Sequence, residues 1–147
     1  MKQYDINQVS LMTGLTTRTL RNYMQMGILN GHKEAGKWVF TEEELTAMFE
    51  SSFVKQELEI KERAQVREFM ERMQVDEPSG CLVYDLPGEK QKVQEYCNQL
   101  MECFNQQYAV EGNRLNYTYD EKKKAGRFVL SGDASMIQKM LAILQES

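Results

Sequence analysis

In the segment "TTRTLRNYMQMGIL" (residues 16–29), Thr17, Arg18, Arg21, Asn22 and Gln25 fall on one side of a helix. Those residue types in that pattern can do one kind of chemistry well. Arginine bonds O6 and N7 of guanine with two parallel donors, asparagine and glutamine pair with the edge of adenine, and a threonine hydroxyl holds a phosphate oxygen. The same set also suits an ordinary solvated helix face. Just downstream, "GHKEAGKWVF" (residues 31–40) brings Lys33 and Lys37 to either side of a glycine turn. There two ammonium groups would meet the sugar-phosphate backbone beside a groove.

Charge is distributed in keeping with this. Residues 1–40 hold Lys2, Arg18, Arg21, Lys33 and Lys37 against Asp5 and Glu34, a local +3 in a chain of net charge -4. The remainder therefore carries -7. A basic first quarter on an acidic protein points to one face directed at a polyanion rather than to general polyanion binding.

Other chemistries find little to build on. There is one histidine, His32, and no Ser-His or Cys-His arrangement, phosphate loop or pair of carboxylates in an apolar setting, so an enzyme is not expected and no cofactor is implied. Cys81, Cys97 and Cys103 are odd in number and lack Cys-x-x-Cys spacing, which argues against a disulfide framework or a zinc cluster. No apolar run approaches the roughly 20 residues that cross a bilayer. The opening "MKQYDINQVS" has no apolar stretch of leader type, and a cytoplasmic protein is expected.

The elements that must position the basic residues follow from periodicity. Ile6, Val9 and Met12 mark a short helix that stops at Gly14. Thr16 is placed to cap a second helix through Met26, which Gly27 ends. Two helices across a tight turn make a helix-turn-helix, with Leu20, Tyr23, Met24, Ile28 and Leu29 as the packing side of the second. Residues 31–40 read as a hairpin, hence a wing, in which Trp38 seals the strands onto the helices. Thr41 to Glu44 is a capping box that launches a helix with Leu45, Met48 and Phe49 inward.

The stretch "FVKQELEIKERAQVREFMERMQV" lacks glycine and proline, so it reads as the longest helix. Its centre, "EIKERAQ", has little to bury, which suits a spacer or one half of an antiparallel helix pair between two chains. Asp76 to Gly80 is a linker. Beyond it come a strand in "CLVYDL", a helix over 89–108, a hairpin from Leu115–Tyr119 to Arg127–Leu130, and a last helix with Met136, Met140 and Leu144 inward. The expected fold is α+β: a winged helix-turn-helix over 1–50, a long connecting or dimerisation helix over 51–77, and a β-α-β-β-α two-layer domain over 78–147 with its helices on one side.

Residues 5–49 resemble the MerR-like family of winged-helix DNA-binding domains. The likeness rests on Thr19-Leu20-Arg21, Tyr23 and Gly27-Ile28-Leu29 and covers about a third of the chain. It implies that Arg18 and Arg21 contact groove and backbone and that Tyr23 is a phosphate contact or a core residue. Asn22 stands where the family has the first of an aromatic pair, and Trp38 where its wing has an arginine that meets phosphate, so wing contacts pass to Lys37 or Lys33. The wing "GKWVF" with "TEEEL" is similar instead to excisionase-like relatives. The three-part layout favours the regulators, which dimerise through a long helix and sense an effector at the C-terminal domain.

The resemblance therefore implies a sequence-specific, homodimeric transcriptional regulator of double-stranded DNA, with a small-molecule or protein effector at the C-terminal domain. Tyr84, Tyr117, Tyr119 and Phe128 would line a pocket there, or form its core. The alternatives are an excisionase-like architectural factor of a mobile element and a protein-interaction module.

Overall fold

In the computed structural model, which describes residues 2–146, the first element is a strand that the sequence does not advertise. β1 (Gln3–Asp5) lies against β3 (Lys37–Thr41), whose other edge holds β2 (His32–Glu34), all antiparallel. Only three residues long, β1 has no readable alternation; it forms because Tyr4 sits opposite Phe40 and both are buried. Asp5 then turns the chain by capping α1 (Ile6–Thr13): its carboxylate accepts from the Gln8 amide at 2.8 Å while the Gln8 side chain accepts from the Asp5 amide at 2.8 Å.

α1 ends at Gly14 and α2 (Thr17–Gln25) gives way at Gly27, both in left-handed backbone that other residues adopt only at a cost. Thr16 caps α2 by accepting from the Thr19 amide at 3.1 Å. The helix pair, the β2–β3 hairpin and the capping box at Thr41 and Glu44, which opens α3 (Glu42–Glu50), follow the sequence reading.

α4 (Ser52–Glu71) departs from that reading in two ways. It stops short of the anticipated Val75: Arg72 turns to extended backbone, and residues 72–78 carry the chain into β4 (Ser79–Pro87). Its centre is also not bare. Gln65, 2% exposed, donates to the Ser131 hydroxyl at 2.8 Å and to the Val129 carbonyl at 3.4 Å. The Asn116 amide donates to the Leu58 carbonyl at 3.2 Å, the Thr118 hydroxyl donates to the buried Glu62 carboxylate, and Arg114 pairs with Glu68 at 2.6 Å.

These partners belong to an antiparallel sheet of order β4-β6-β5, with β5 spanning Arg114–Asp120 and β6 Ala125–Asp133. Phe128 and Leu130 of β6 and Leu115 and Tyr117 of β5 point to the face covered by α5 (Lys90–Cys103), which runs on as a π-helical turn over Phe104–Tyr108, and by α6 (Ala134–Gln145). Asn116, Thr118, Arg127, Val129 and Ser131 alternate onto the opposite face, where α4 lies. The anticipated two-layer unit therefore has a third layer. Alternation alone assigns those polar residues to solvent; on the sheet Thr118 and Ser131 meet the Glu62 and Gln65 side chains of α4, and Asn116 donates to the Leu58 carbonyl.

One apolar cluster runs through the chain, from Val9 and Met12 through Leu58 to Phe128 and Met140. α1 packs against β5, and Lys2 pairs with Glu102 of α5.

Candidate nucleic-acid interface

Helical phase divides α2 cleanly. Leu20 and Tyr23 are buried, whereas Arg18, Arg21, Asn22 and Gln25 are exposed and Thr17 is half-buried on the same side. Thr16 starts the helix with its first turn facing outward, so unpaired amide donors and the N-terminal positive dipole end lie near Thr17 and Arg18.

Beside this face stands the β2–β3 hairpin. Its two-residue turn, Ala35-Gly36, has φ of 51° and 79°, the pair of positive angles that a type I′ turn requires. Lys33 and Lys37 are exposed on either side of it. Between helix and hairpin runs a groove of about 420 Å³, lined by Arg21, Gln25, Asn30 and Trp38 among others. It brings α2 and the hairpin onto one continuous surface. Asn30 escaped the sequence reading; its only signal is a polar residue in the short segment between α2 and the hairpin.

Trp38 has a role that the sequence left open. It is half-buried and packs against the core, and it lies opposite Lys33 in the strand register. The Lys33 ammonium rests 5.5 Å from the centre of its ring, within the range of attraction between a cation and a π face. The position where an arginine is expected thus holds an aromatic platform for a cation borne on the neighbouring strand.

Tyr23 leaves the list of contacts. At 2% exposure its hydroxyl is buried without a hydrogen-bond partner, and its ring meets Phe53 of α4 edge to face at 6.0 Å. Burial, with the Glu57 carboxylate second, pushes its pKa up to about 12. The phenol is a core group, out of reach of a phosphate.

Electrostatically the surface is unspent. Among the described residues, none of Arg18, Arg21, Lys33 or Lys37 joins an ion pair, while Lys2, Lys55, Lys90, Arg114, Lys124 and Arg127 all do. His32 lies 3.4 Å from Glu34 at the root of the hairpin.

Residues 4–48, covering β1 through most of α3, match the model of the MerR HTH family regulatory protein. Over about a third of its length, the chain is similar to a MerR-family helix-turn-helix domain. The MerR-type unit includes β1 and the Asp5 cap, which bring Tyr4 and Phe40 together beneath the hairpin. Among curated proteins and solved structures, none matches the chain.

Outside the MerR-type unit the chemistry is sparse. Tyr117, Tyr119 and Phe128 are buried, Tyr117 and Phe128 with ring centres 4.9 Å apart, so these aromatic residues form core, and the opening that Phe49, Tyr117 and Tyr119 line holds only about 10 Å³. Burial pushes the Cys81, Cys97 and Cys103 thiols up, which keeps them protonated rather than thiolate. Among the described residues no helix is long and apolar enough to cross a membrane.

Proposed function

We propose that this protein is a sequence-specific DNA-binding transcriptional regulator that acts as a homodimer. One observation carries the reading: a MerR-like domain whose exposed α2 face and hairpin hold four cations that, among the described residues, join no ion pair. Arg18, Arg21, Asn22 and Gln25 enter a major groove and read base edges, Thr17 holds phosphate, and Lys33 and Lys37 meet the backbone alongside. Two copies occupy successive grooves of a pseudo-palindromic site, and distortion of the DNA between them contributes to selection. The chain has no catalytic role and acts in the cytoplasm.

The C-terminal sheet and helices serve regulation. α4 bonds to that sheet through Gln65 and Glu62 and touches α2 through Phe53, so a small-molecule or protein effector bound there acts on the recognition helix through packed elements. This large unit supports a regulator over an excisionase-like factor, despite the Gly36-Lys37-Trp38 wing.

Titrating duplex DNA from upstream of its own gene, by mobility shift at low salt, tests the reading. Retardation at submicromolar protein is expected, with weaker retention of a scrambled duplex. No retardation at micromolar protein would sink it.

A further inference from the structure

We propose that the groove between α4 and β4 binds a small organic monoanion, an apolar chain ending in a carboxylate, and that an acid of this class is the effector of the protein. The effector role rests on the regulator reading; the site itself does not.

The groove exists because α4 covers only part of the sheet. It packs on β5 and β6, and among the described residues its hydrogen bonds to the sheet reach those two strands and none reaches β4. The register sets Cys81, Val83 and Asp85 opposite Ser131, Val129 and Arg127, so these β4 residues share the α4 side of the sheet, where Val83 is left 49% exposed. The uncovered strip is a cleft of about 530 Å³, a size usual for small-molecule sites. Its α4 wall runs from Glu62 to Glu71, roughly 14 Å at about 1.5 Å per residue. That is the reach of a medium-length chain.

Val66 and Met70 of α4 and Val83 of β4 give the groove an apolar strip, and Met70 is 78% exposed. Apolar side chains left open to water favour a body that covers them, and a methionine adapts its shape to what it meets.

Charge selects the other half of the ligand. Arg63 and Arg67 lie one turn apart on the α4 wall, exposed, and among the described residues join no ion pair. The Arg127 guanidinium, also in the lining, is held by Asp85 through bonds of 2.7 and 3.0 Å. Of the two carboxylates that line the groove, Glu62 is buried, accepts from the Thr118 hydroxyl and is pushed toward its neutral form chiefly by desolvation. Glu71 stands exposed at the end of α4. With Arg127 set against Asp85, Arg63 and Arg67 outweigh Glu71, and a single negative charge cancels the excess. A guanidinium fork takes a carboxylate through two parallel bonds. The head group therefore seats at Arg63 and Arg67, with the chain along Val66, Met70 and Val83.

Bound there, the acid bridges α4 and β4. The same helix carries Phe53 against Tyr23 of α2, so fixing α4 to the uncovered strand biases the element on which the recognition helix rests.

Titration of the full chain with decanoate, followed by calorimetry and by amide and methyl magnetic resonance, tests the site. One decanoate per chain should bind at submillimolar concentration, with shifts centred on Val66, Met70 and Val83. Decylammonium, the same chain with the opposite charge, and acetate, the head without the chain, should bind at least about tenfold more weakly. The double variant Arg63→Gln/Arg67→Gln, checked as folded by circular dichroism, should lose about tenfold in affinity, the worth of a charge-assisted hydrogen bond. Met70→Asp should weaken binding too, and Arg72→Gln should leave it unchanged. No saturable binding by millimolar decanoate, equal binding of decylammonium, or full affinity in the folded double variant would overturn the site. Shifts at Val83 that follow dilution of the protein alone, with no response to decanoate, would give the groove to a second copy. Mobility shift reads the effector role: decanoate should change the DNA dissociation constant by about fivefold or more in the unaltered protein and not in the double variant. Decanoate bound without that change overturns the effector role. A protein that binds decanoate in the groove but retains no DNA sinks the regulator reading alone, and one that retains DNA but binds no decanoate sinks this site alone.

Discussion

The rings of Tyr23 and Phe53 meet edge to face with centres 6.0 Å apart, joining the recognition helix to the first turn of the long helix. Tyr23 is buried, but Phe53 is 47% exposed, so the contact is made at the surface end of the core. Phe53→Ala should cost about 1 kcal/mol, the worth of an aromatic pair beyond area burial, against roughly 3 to 5 kcal/mol for Tyr23→Ala. Urea denaturation of both variants gives the comparison. Equal losses would mean that Phe53 is anchored more deeply than its exposure indicates.

On the hairpin, Lys37 contacts only phosphate in the proposed complex. Lys37→Ala should weaken binding about equally for specific and scrambled duplexes and lower the salt slope by about one. Arg21→Ala should instead narrow the gap between the two duplexes if its guanidinium reads guanine. Fluorescence anisotropy at several salt concentrations separates these outcomes.

Ala35 occupies left-handed backbone at φ 51° in the hairpin turn, a conformation costing a residue with a Cβ about 1 kcal/mol. Asparagine tolerates it. Ala35→Asn should therefore stabilise the protein by roughly 0.5 to 1 kcal/mol, read as a higher urea midpoint with an unchanged slope.

Glu62 is buried under the sheet, accepts from the Thr118 hydroxyl, and has its pKa raised from the usual 4.5, chiefly by desolvation. The sign follows from linkage. The native state holds this proton more tightly than the unfolded chain, so the stabilisation is complete below the ordinary carboxylate value and is lost as pH rises through the folded one. Glu62→Gln keeps an acceptor for Thr118 without the charge. At neutral pH it should gain on the order of 1 kcal/mol, and in acid that advantage should vanish. Denaturation at the two pH values checks both halves.

The helix-turn-helix was legible because its signals are local. Gly14, Thr16, Gly27 and the Thr41–Glu44 box each act within a few residues, and the spacing of Leu20 and Tyr23 marks the buried side of α2. The exposed face with Arg18, Arg21, Asn22 and Gln25 follows directly from that spacing. Tyr23 stayed open between contact and core because a tyrosine offers both a core ring and a polar tip, and only its neighbours decide between them. Asn30 stayed hidden since nothing local tells a loop asparagine that lines a groove from one that ends a helix.

By itself the sequence determined where helices begin and end, which side of each is apolar, and that the basic residues gather in the first quarter. Those properties depend on backbone propensity and on side chains a turn apart. The tertiary structure alone decided what lies over the polar centre of α4 and how Lys33 comes to rest on Trp38. Gln65 and Ser131 are 66 residues apart in the chain. A polar side chain reads the same whether water or a distant partner satisfies it, and only packing shows which one does.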